Sequence, residues 1–196
     1  MIAVLTPEQD HPEEHDWLNC LLENGLEYCH IRKYGLDKEG MRTYLGKIHR
    51  SYRDRLILHA HHDLATEFDI RRLHIREEER LKKKYEAFGS GYVLSTSVHA
   101  IADFNVLGGE WNYAFFSPMY PSISKSGYGV AQQVRHTLSQ RQNQRVKLIG
   151  LGGIDDQNCQ EIYEAGADGI ALMGGLWQHD NPLAVFLRCR KKDQSY

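Results

Sequence analysis

Short runs of β-branched and aromatic residues recur along the chain, separated by longer stretches that are amphipathic or polar. Eight of these runs read as strands: Ile2–Leu5, Glu27–Arg32, Arg55–His59, Arg72–Ile75, Tyr92–Ser95, Tyr113–Phe116, Lys147–Leu151 and Gly169–Leu172. The intervening stretches predict helices over Pro12–Glu23, Lys38–Tyr52, Glu77–Ala87, Ala100–Leu107, Gly129–Gln140, Asp156–Ala165 and Pro182–Lys191. In the first of these, Trp17, Leu18, Leu21 and Leu22 recur at helical spacing and mark a buried face. Between the third and fourth strands, His61 to Arg71 leaves room for one or two turns only. Strict strand and helix alternation predicts an α/β protein with a parallel sheet, and eight strands predict a closed (β/α)8 TIM barrel. A doubly wound open sheet is the alternative. No internal repeat and no Pro/Ser-rich linker interrupts the pattern, so a single domain over residues 1–196 is expected.

Composition narrows the function classes. The chain carries 24 Lys+Arg against 26 Asp+Glu, a formal net charge of −2, which creates no strong field of either sign and argues against a nucleic-acid partner. With 41% hydrophobic and 26% charged residues the sequence is that of a folded globular chain. No apolar run approaches the ~18 residues of a membrane-spanning helix, so no membrane association is expected. Met1-Ile2-Ala3-Val4-Leu5 lacks the basic region of a signal peptide. Cys20, Cys29, Cys159 and Cys189 show no CxxC spacing and read as reduced thiols, so a cytoplasmic location is expected. The charge block Arg76 to Lys84 places Glu77, Glu78 and Glu79 ahead of Arg80, Lys82, Lys83 and Lys84, the order that a helix dipole favours on a solvated face.

The 11 histidines and 17 glycines become informative once they are placed on strands. Active sites of such barrels form at the C-terminal ends of the strands, and those ends are polar here: Arg32 and Lys33, then His59, His61 and His62, then His74 and Arg76, then Ser97 and His99. Gly152 and Gly153 follow the seventh strand, and Gly174 and Gly175 the eighth. Paired glycines there allow backbone N–H groups to approach a phosphate, although tight βα turns alone also require glycine. Ser122, Ser124 and Lys125 on a Gly-bounded loop, together with Arg32, suit a second, larger anion such as a diphosphate. His59 and His61 at one strand end and His74 on the next offer a three-histidine metal site; the alternative is hydrogen-bonded rim histidines, with His30 in the interior. Barrel hydrolases usually carry His-x-His on the first strand, which here reads Leu5-Thr6-Pro7-Glu8.

Several stretches taken together, in order and spacing, resemble the thiamine phosphate synthase and thiazole tautomerase family over Ile2 to Trp177. They are His30-Ile31-Arg32, Leu73-His74-Ile75, Ser97-Val98-His99, Asn112-Tyr113, the loop Ser117-Pro118-Met119-Tyr120-Pro121-Ser122-Ile123-Ser124-Lys125-Ser126-Gly127, Gly150-Leu151-Gly152-Gly153-Ile154 and Ala165-Gly166-Ala167-Asp168-Gly169-Ile170-Ala171. The resemblance implies a TIM barrel and a transferase. It would join hydroxymethylpyrimidine diphosphate to thiazole phosphate with release of diphosphate, using Mg²⁺ as cofactor. By the same resemblance, Arg32 and Lys125 would hold diphosphate, with Ser97, Ser122 and Ser124 as further donors. Gly153 and the Met173-Gly174 backbone would hold the thiazole phosphate. Small phosphate and diphosphate esters are thus the expected partners, and a homodimer is an assembly that the resemblance allows.

The chain also departs from the family pattern. Synthases end strand three in Asn-Asp, with the Asp on Mg²⁺, where this chain has His59-Ala60; the second metal Asp falls at Glu79. A second cation on strand two falls at Tyr34. The tautomerase acid–base histidine falls at Pro118, where synthases also carry Pro. Two alternatives follow: a thiazole tautomerase-like isomerase with His74 or His99 as base, and a non-catalytic binder of thiamine-related phosphates. A metal-dependent hydrolase on His59, His61 and His74 is a further alternative.

Overall fold

The computed structural model describes residues 1–121 and 134–195. Its strands are β1 (Ile2–Leu5), β2 (Tyr28–Ile31), β3 (Leu56–Leu58), β4 (Arg72–Ile75), β5 (Val93–Val98), β6 (Trp111–Phe116), β7 (Lys147–Leu151) and β8 (Gly169–Leu172). They pair in chain order, all in parallel, and β8 closes on β1. The closed barrel is therefore the one expected, and the open sheet is excluded.

Successive residues of a strand face opposite sides of the sheet, so the barrel has two cores. Inside it lie Ala3, Leu5, Tyr113, Phe115, Ile149 and Ala171. Outside it, Val4, Cys29, Ile31, Leu73 and Ile75 join the larger core shared with the surrounding helices. This alternation decides where the strand histidines go. His30 lies between Cys29 and Ile31, and His74 between Leu73 and Ile75, so both turn inward and both are buried. The small alanines of β1 and β8 cluster inside the barrel with the Tyr113 and Phe115 rings of β6, and Phe115 in turn packs against His30 and His74.

The helices are α1 (Glu14–Glu23), α2 (Lys38–Gly46), α3 (Glu77–Leu81), α4 (Ile101–Asn105), α5 (Cys159–Glu164), α6 (Gly174–Trp177) and α7 (Pro182–Asp193). Leu18, Leu21 and Leu22 give α1 its buried face. At α7, Pro182 opens the helix, the Asn181 side chain accepts a bond from the Ala184 N–H, and Arg190, Lys191 and Lys192 occupy the last turn.

Several predicted helices are shorter than expected, among them Asp156–Ala165, observed as Cys159–Glu164, and others pass into 3₁₀ turns. The stretch predicted as Lys38–Tyr52 ends at Gly46 and resumes as a 3₁₀ turn over Arg50–Arg55. That predicted as Glu77–Ala87 ends at Leu81, because Lys83 adopts a left-handed conformation (φ 55°) and Lys84–Gly91 continues as 3₁₀. No residue of α3 is buried, so no packing enforces a longer helix. Of Gly129–Gln140, Arg135–Gln140 is a 3₁₀ turn and residues 129–133 lie outside the described residues. Helix α6 was not predicted, since two glycines open it. It is held by the buried side chains of Leu176 and Trp177, the indole donating to the Leu5 carbonyl at 2.7 Å.

Candidate functional site

The C-terminal ends of the strands enclose a cavity of about 280 Å³. Arg32 and Tyr34 reach it from the end of β2, His59 from beyond β3, and His74, Arg76 and Glu77 from β4 and its exit. Ser97 and His99 come from β5, and Leu5, Phe115 and Leu151 complete the wall. Of the predicted site residues, Arg32, Ser97, His74 and His99 are thus brought together. Ser122, Ser124 and Lys125 lie outside the described residues.

Below the cavity three buried histidines bring ring nitrogens within 4.8 Å of one another: His30, His59 and His74. The trio suggested by sequence, with His61 in place of His30, does not form. Strand β3 ends at Leu58, so strand alternation does not extend to His61. His61 takes a left-handed conformation and turns its Nε2 to the Leu36 carbonyl at 2.7 Å. The assembled histidines are joined by a chain of hydrogen bonds. Tyr34 Oη lies 3.1 Å from His59 Nδ1, His59 Nε2 lies 2.8 Å from His30 Nδ1, and His30 Nε2 lies 2.8 Å from Tyr113 Oη. A second arm runs from Ser97 Oγ to His74 Nε2 and from His74 Nδ1 to Ser95 Oγ, both at 3.0 Å. Ser95 donates to the Leu73 carbonyl at 3.3 Å.

One proton assignment satisfies every bond with neutral imidazoles: Tyr34 and Ser97 donate inward, and each histidine accepts on one nitrogen and donates from the other. The electrostatics agree. Burial holds His30 and His59 well below the usual imidazole range, with the neighbouring His74 as the next cause for both. Burial, then His62 and Arg32, lowers His74 to about 3. A metal ion bound by imidazoles must lie in the ring planes. The planes of His59 and His74 are only 18° apart with centroids 4.1 Å apart, so as placed no ion sits in both. This arrangement gives no support to the metal-dependent hydrolase.

Above the histidines the chemistry is cationic. The Arg32 guanidinium lies 5.3 Å and that of Arg76 lies 5.1 Å from the centroid of the Tyr34 ring. Arg32 is positioned by its backbone N–H, which donates to Thr6 Oγ1 at 2.8 Å, and it pairs with Glu8 at 3.0 Å. Arg76 caps α3: the Glu79 carboxylate accepts from its backbone N–H and pairs with its guanidinium, both at 3.2 Å. Burial raises the Glu79 carboxyl, but the hydrogen bonds from Arg76 outweigh it and hold the group below its ordinary value. Lys33, a second cation at the end of β2, points away from the cavity and is buried against Glu14 at 2.8 Å. Sequence reasoning placed Arg76 at a strand end without assigning it to the site. Its signal was the Arg-x-x-Glu spacing, which ties its guanidinium to the next turn.

Mg²⁺ requires hard oxygen ligands in near-octahedral array. Glu77, which lines the cavity, pairs with Arg80 at 3.1 Å, and Glu79 and Glu8 pair with the cavity arginines Arg76 and Arg32. Residues 122–133 contain no Asp, Glu, His or Cys. Among the described residues no unpaired carboxylate lines the cavity to hold Mg²⁺ beside substrate phosphates and water, and Glu79 in particular serves as the counter-ion of Arg76.

The glycines beside the mouth have a packing role. Gly153 has φ +65°, and a Cβ there would stand 2.3 Å from the Pro121 carbonyl oxygen; at Gly175 it would stand 2.3 Å from that of Ile154. Close backbone contact therefore accounts for both. Met173 caps the four-residue helix α6, whose first N–H groups, including that of Gly174, have no intrahelical acceptor.

A model of the thiamine monophosphate synthase family matches residues 1–176. The chain belongs to the thiamine monophosphate synthase family. Among curated relatives of this family member, a thiamine-phosphate synthase of Listeria monocytogenes is 27% identical over 127 residues, 60% of this chain and 57% of that protein. One of Anoxybacillus flavithermus is 27% identical over 150 residues, 72% of this chain and 66% of that protein. One of Geobacillus thermodenitrificans is 25% identical over 187 residues, 90% and 83% of the two chains. The match thus spans less than two thirds of the first two proteins. Among solved structures, thiamine phosphate pyrophosphorylase from Bacteroides thetaiotaomicron superposes with TM-score 0.77 at 24% identity, covering 99% of this chain and 97% of that one. The Pyrococcus furiosus protein of the same name gives 0.79 at 16% identity, covering 99% and 95%. At these identities the likeness establishes the fold. No helix among the described residues is long and apolar enough to cross a membrane.

Proposed function

We propose that this chain is a thiamine phosphate synthase-type transferase that joins hydroxymethylpyrimidine diphosphate to a thiazole phosphate, giving thiamine monophosphate and diphosphate. The family match over residues 1–176 carries this reading, and the cationic mouth with Arg32 at its rim supports it. Departure of diphosphate concentrates negative charge on the leaving group, which asks for cations fixed in advance. Arg32 supplies a guanidinium fork at one wall. By the family resemblance, Lys125 with the Ser122 and Ser124 hydroxyls would supply further donors to the diphosphate. The apolar surface of Leu5, Phe115 and Leu151 suits a flat heteroaromatic ring and excludes water that would otherwise capture a reactive pyrimidine centre. Ser97, donating inward to His74, would turn an oxygen lone pair to the cavity, where it can accept from an amino substituent. The N–H groups of Gly153 and Gly174, with Met173, would seat the thiazole phosphate.

Incubation of the purified chain with both substrates, with product read by chromatography, tests the proposal. Formation of thiamine phosphate that falls at least roughly a hundredfold in Arg32→Ala is expected. No product, with or without Mg²⁺, would exclude it.

A proton-transfer isomerase is a second reading, favoured by the exposed His99, which lines the cavity with its Nδ1 fixed 2.9 Å from the Ser117 carbonyl oxygen. His74 does not suit the role of base at neutral pH, because both its nitrogens are engaged and burial lowers it to about 3. Exchange of substrate carbon protons with solvent that disappears in His99→Ala would support the isomerase.

A further inference from the structure

Arg32 and Arg76 arrive at the mouth from different strands and lie within 5.3 Å and 5.1 Å of the same ring centroid, that of Tyr34. The Tyr34 hydroxyl is held on His59 Nδ1 at 3.1 Å, so the ring is a fixed seat and the two guanidiniums are placed before any ligand arrives. Both line the same cavity. The imidazoles beneath them are neutral and add no charge. Accepting that the mouth takes a diphosphate ester, we propose that Arg32 and Arg76 form a metal-independent clamp for the diphosphate, each guanidinium facing one phosphoryl group.

The donor count permits it. A guanidinium offers five N–H bonds. Glu79 occupies Nε and Nη2 of Arg76, and Glu8 occupies Nη2 of Arg32, which leaves N–H groups on both forks for an oxyanion. Glu8 is 42% exposed, so its pair with Arg32 exchanges readily with water or with a competing phosphate. The Glu79 pair includes a backbone cap and keeps Arg76 aimed. Among the described residues the carboxylate that lines the cavity, Glu77, is paired with Arg80, and Glu79 is held by Arg76, so neither is offered to a divalent cation. The planar fork matches the spacing of phosphate oxygens and also rests on an aromatic face, which an ammonium does less well.

Calorimetric titration of the intact chain with inorganic diphosphate tests the clamp. Binding is expected in the presence of EDTA and is not tightened by Mg²⁺. Arg76→Gln is expected to weaken it roughly ten- to hundredfold, and Arg76→Lys to recover only part of that loss. Unchanged circular dichroism of Arg76→Gln, whose side chain is half exposed, separates lost binding from lost fold. Binding that requires Mg²⁺, no binding under either condition, or wild-type affinity in Arg76→Gln would each overturn the clamp. The two readings fail separately: diphosphate binding in EDTA without thiamine phosphate formation would sink the synthase and leave the clamp. Product formed only with Mg²⁺ and indifferent to Arg76 would do the reverse.

Discussion

The imidazoles of His59 and His74 stack face to face inside the barrel, with centroids 4.1 Å apart and planes 18° apart. Each lies where a positive charge on the other would be felt directly, and both are removed from water. Burial first, and the like-charged neighbour second for His59, therefore keep the pair neutral.

Stability should fall steeply in mild acid. The unfolded histidines titrate near 6.5, whereas folded His74 does so at about 3 and His30 and His59 lie well below their ordinary value. Folded pKa values that are depressed mean that the unfolded chain binds more protons below 6.5, so stability is full above that pH and is lost as pH falls toward the folded values. The expected slope is about 1.4 kcal/mol per pH unit for each of the three histidines. Urea midpoints measured across this range check it. A flat profile would refute the neutral network, and His74→Gln should reduce the slope.

Tyr113→Phe removes the hydroxyl bonded to His30 Nε2 and leaves a buried imidazole nitrogen without its partner. A loss of about 1–3 kcal/mol is expected, with the barrel retained. Chemical denaturation measures the cost, and nitrogen chemical shifts of the His30 ring should move with it.

Lys33, Glu14 and Tyr44 form a second buried polar group: Lys33 Nζ lies 2.8 Å from Glu14, and the Tyr44 hydroxyl donates to the same carboxylate. Replacing Lys33 by Met strands a carboxylate that is only 4% exposed, at an expected cost of about 3–5 kcal/mol. The double variant Lys33→Met, Glu14→Leu should recover much of that loss. Equal destabilisation of the single and double variants would show that packing rather than charge sets the cost.

Gly153→Ala should destabilise the chain by roughly 1–3 kcal/mol, because a left-handed residue would also drive a Cβ to 2.3 Å from the Pro121 oxygen. Gly35, in whose case nothing lies within 4 Å of an added Cβ, provides the comparison and should tolerate Ala. Similar thermal midpoints for both variants would remove the packing role given to Gly153.

The family motifs and the alternation of strand and helix were legible in the sequence because both are local: a two-residue period marks a strand, and a run of paired glycines and a Ser-Lys loop survive without knowing the fold. Arg32, Ser97, His74 and His99 could be named as neighbours at one end of the barrel once strand ends were assigned. The histidine partners could not. His61 is two residues from His59, and the expectation that both face one side assumed a strand that ends at Leu58. Arg76 and Tyr34 are separated by 42 positions in sequence, and nothing in either local pattern says that one ring carries two guanidiniums.

By itself the sequence predicted eight strands alternating with helices and their polar ends, since the period of apolar residues marks which elements form and in what order, and its motifs carried the family resemblance; closure of β8 on β1 was decided by the tertiary structure. Tertiary structure alone decided that three histidines share one dry interior, that Glu79 belongs to Arg76, and that Tyr34 seats two cations. Those facts depend on strand register and on closure of the barrel, which bring side chains from distant positions within hydrogen-bonding range and remove them from water.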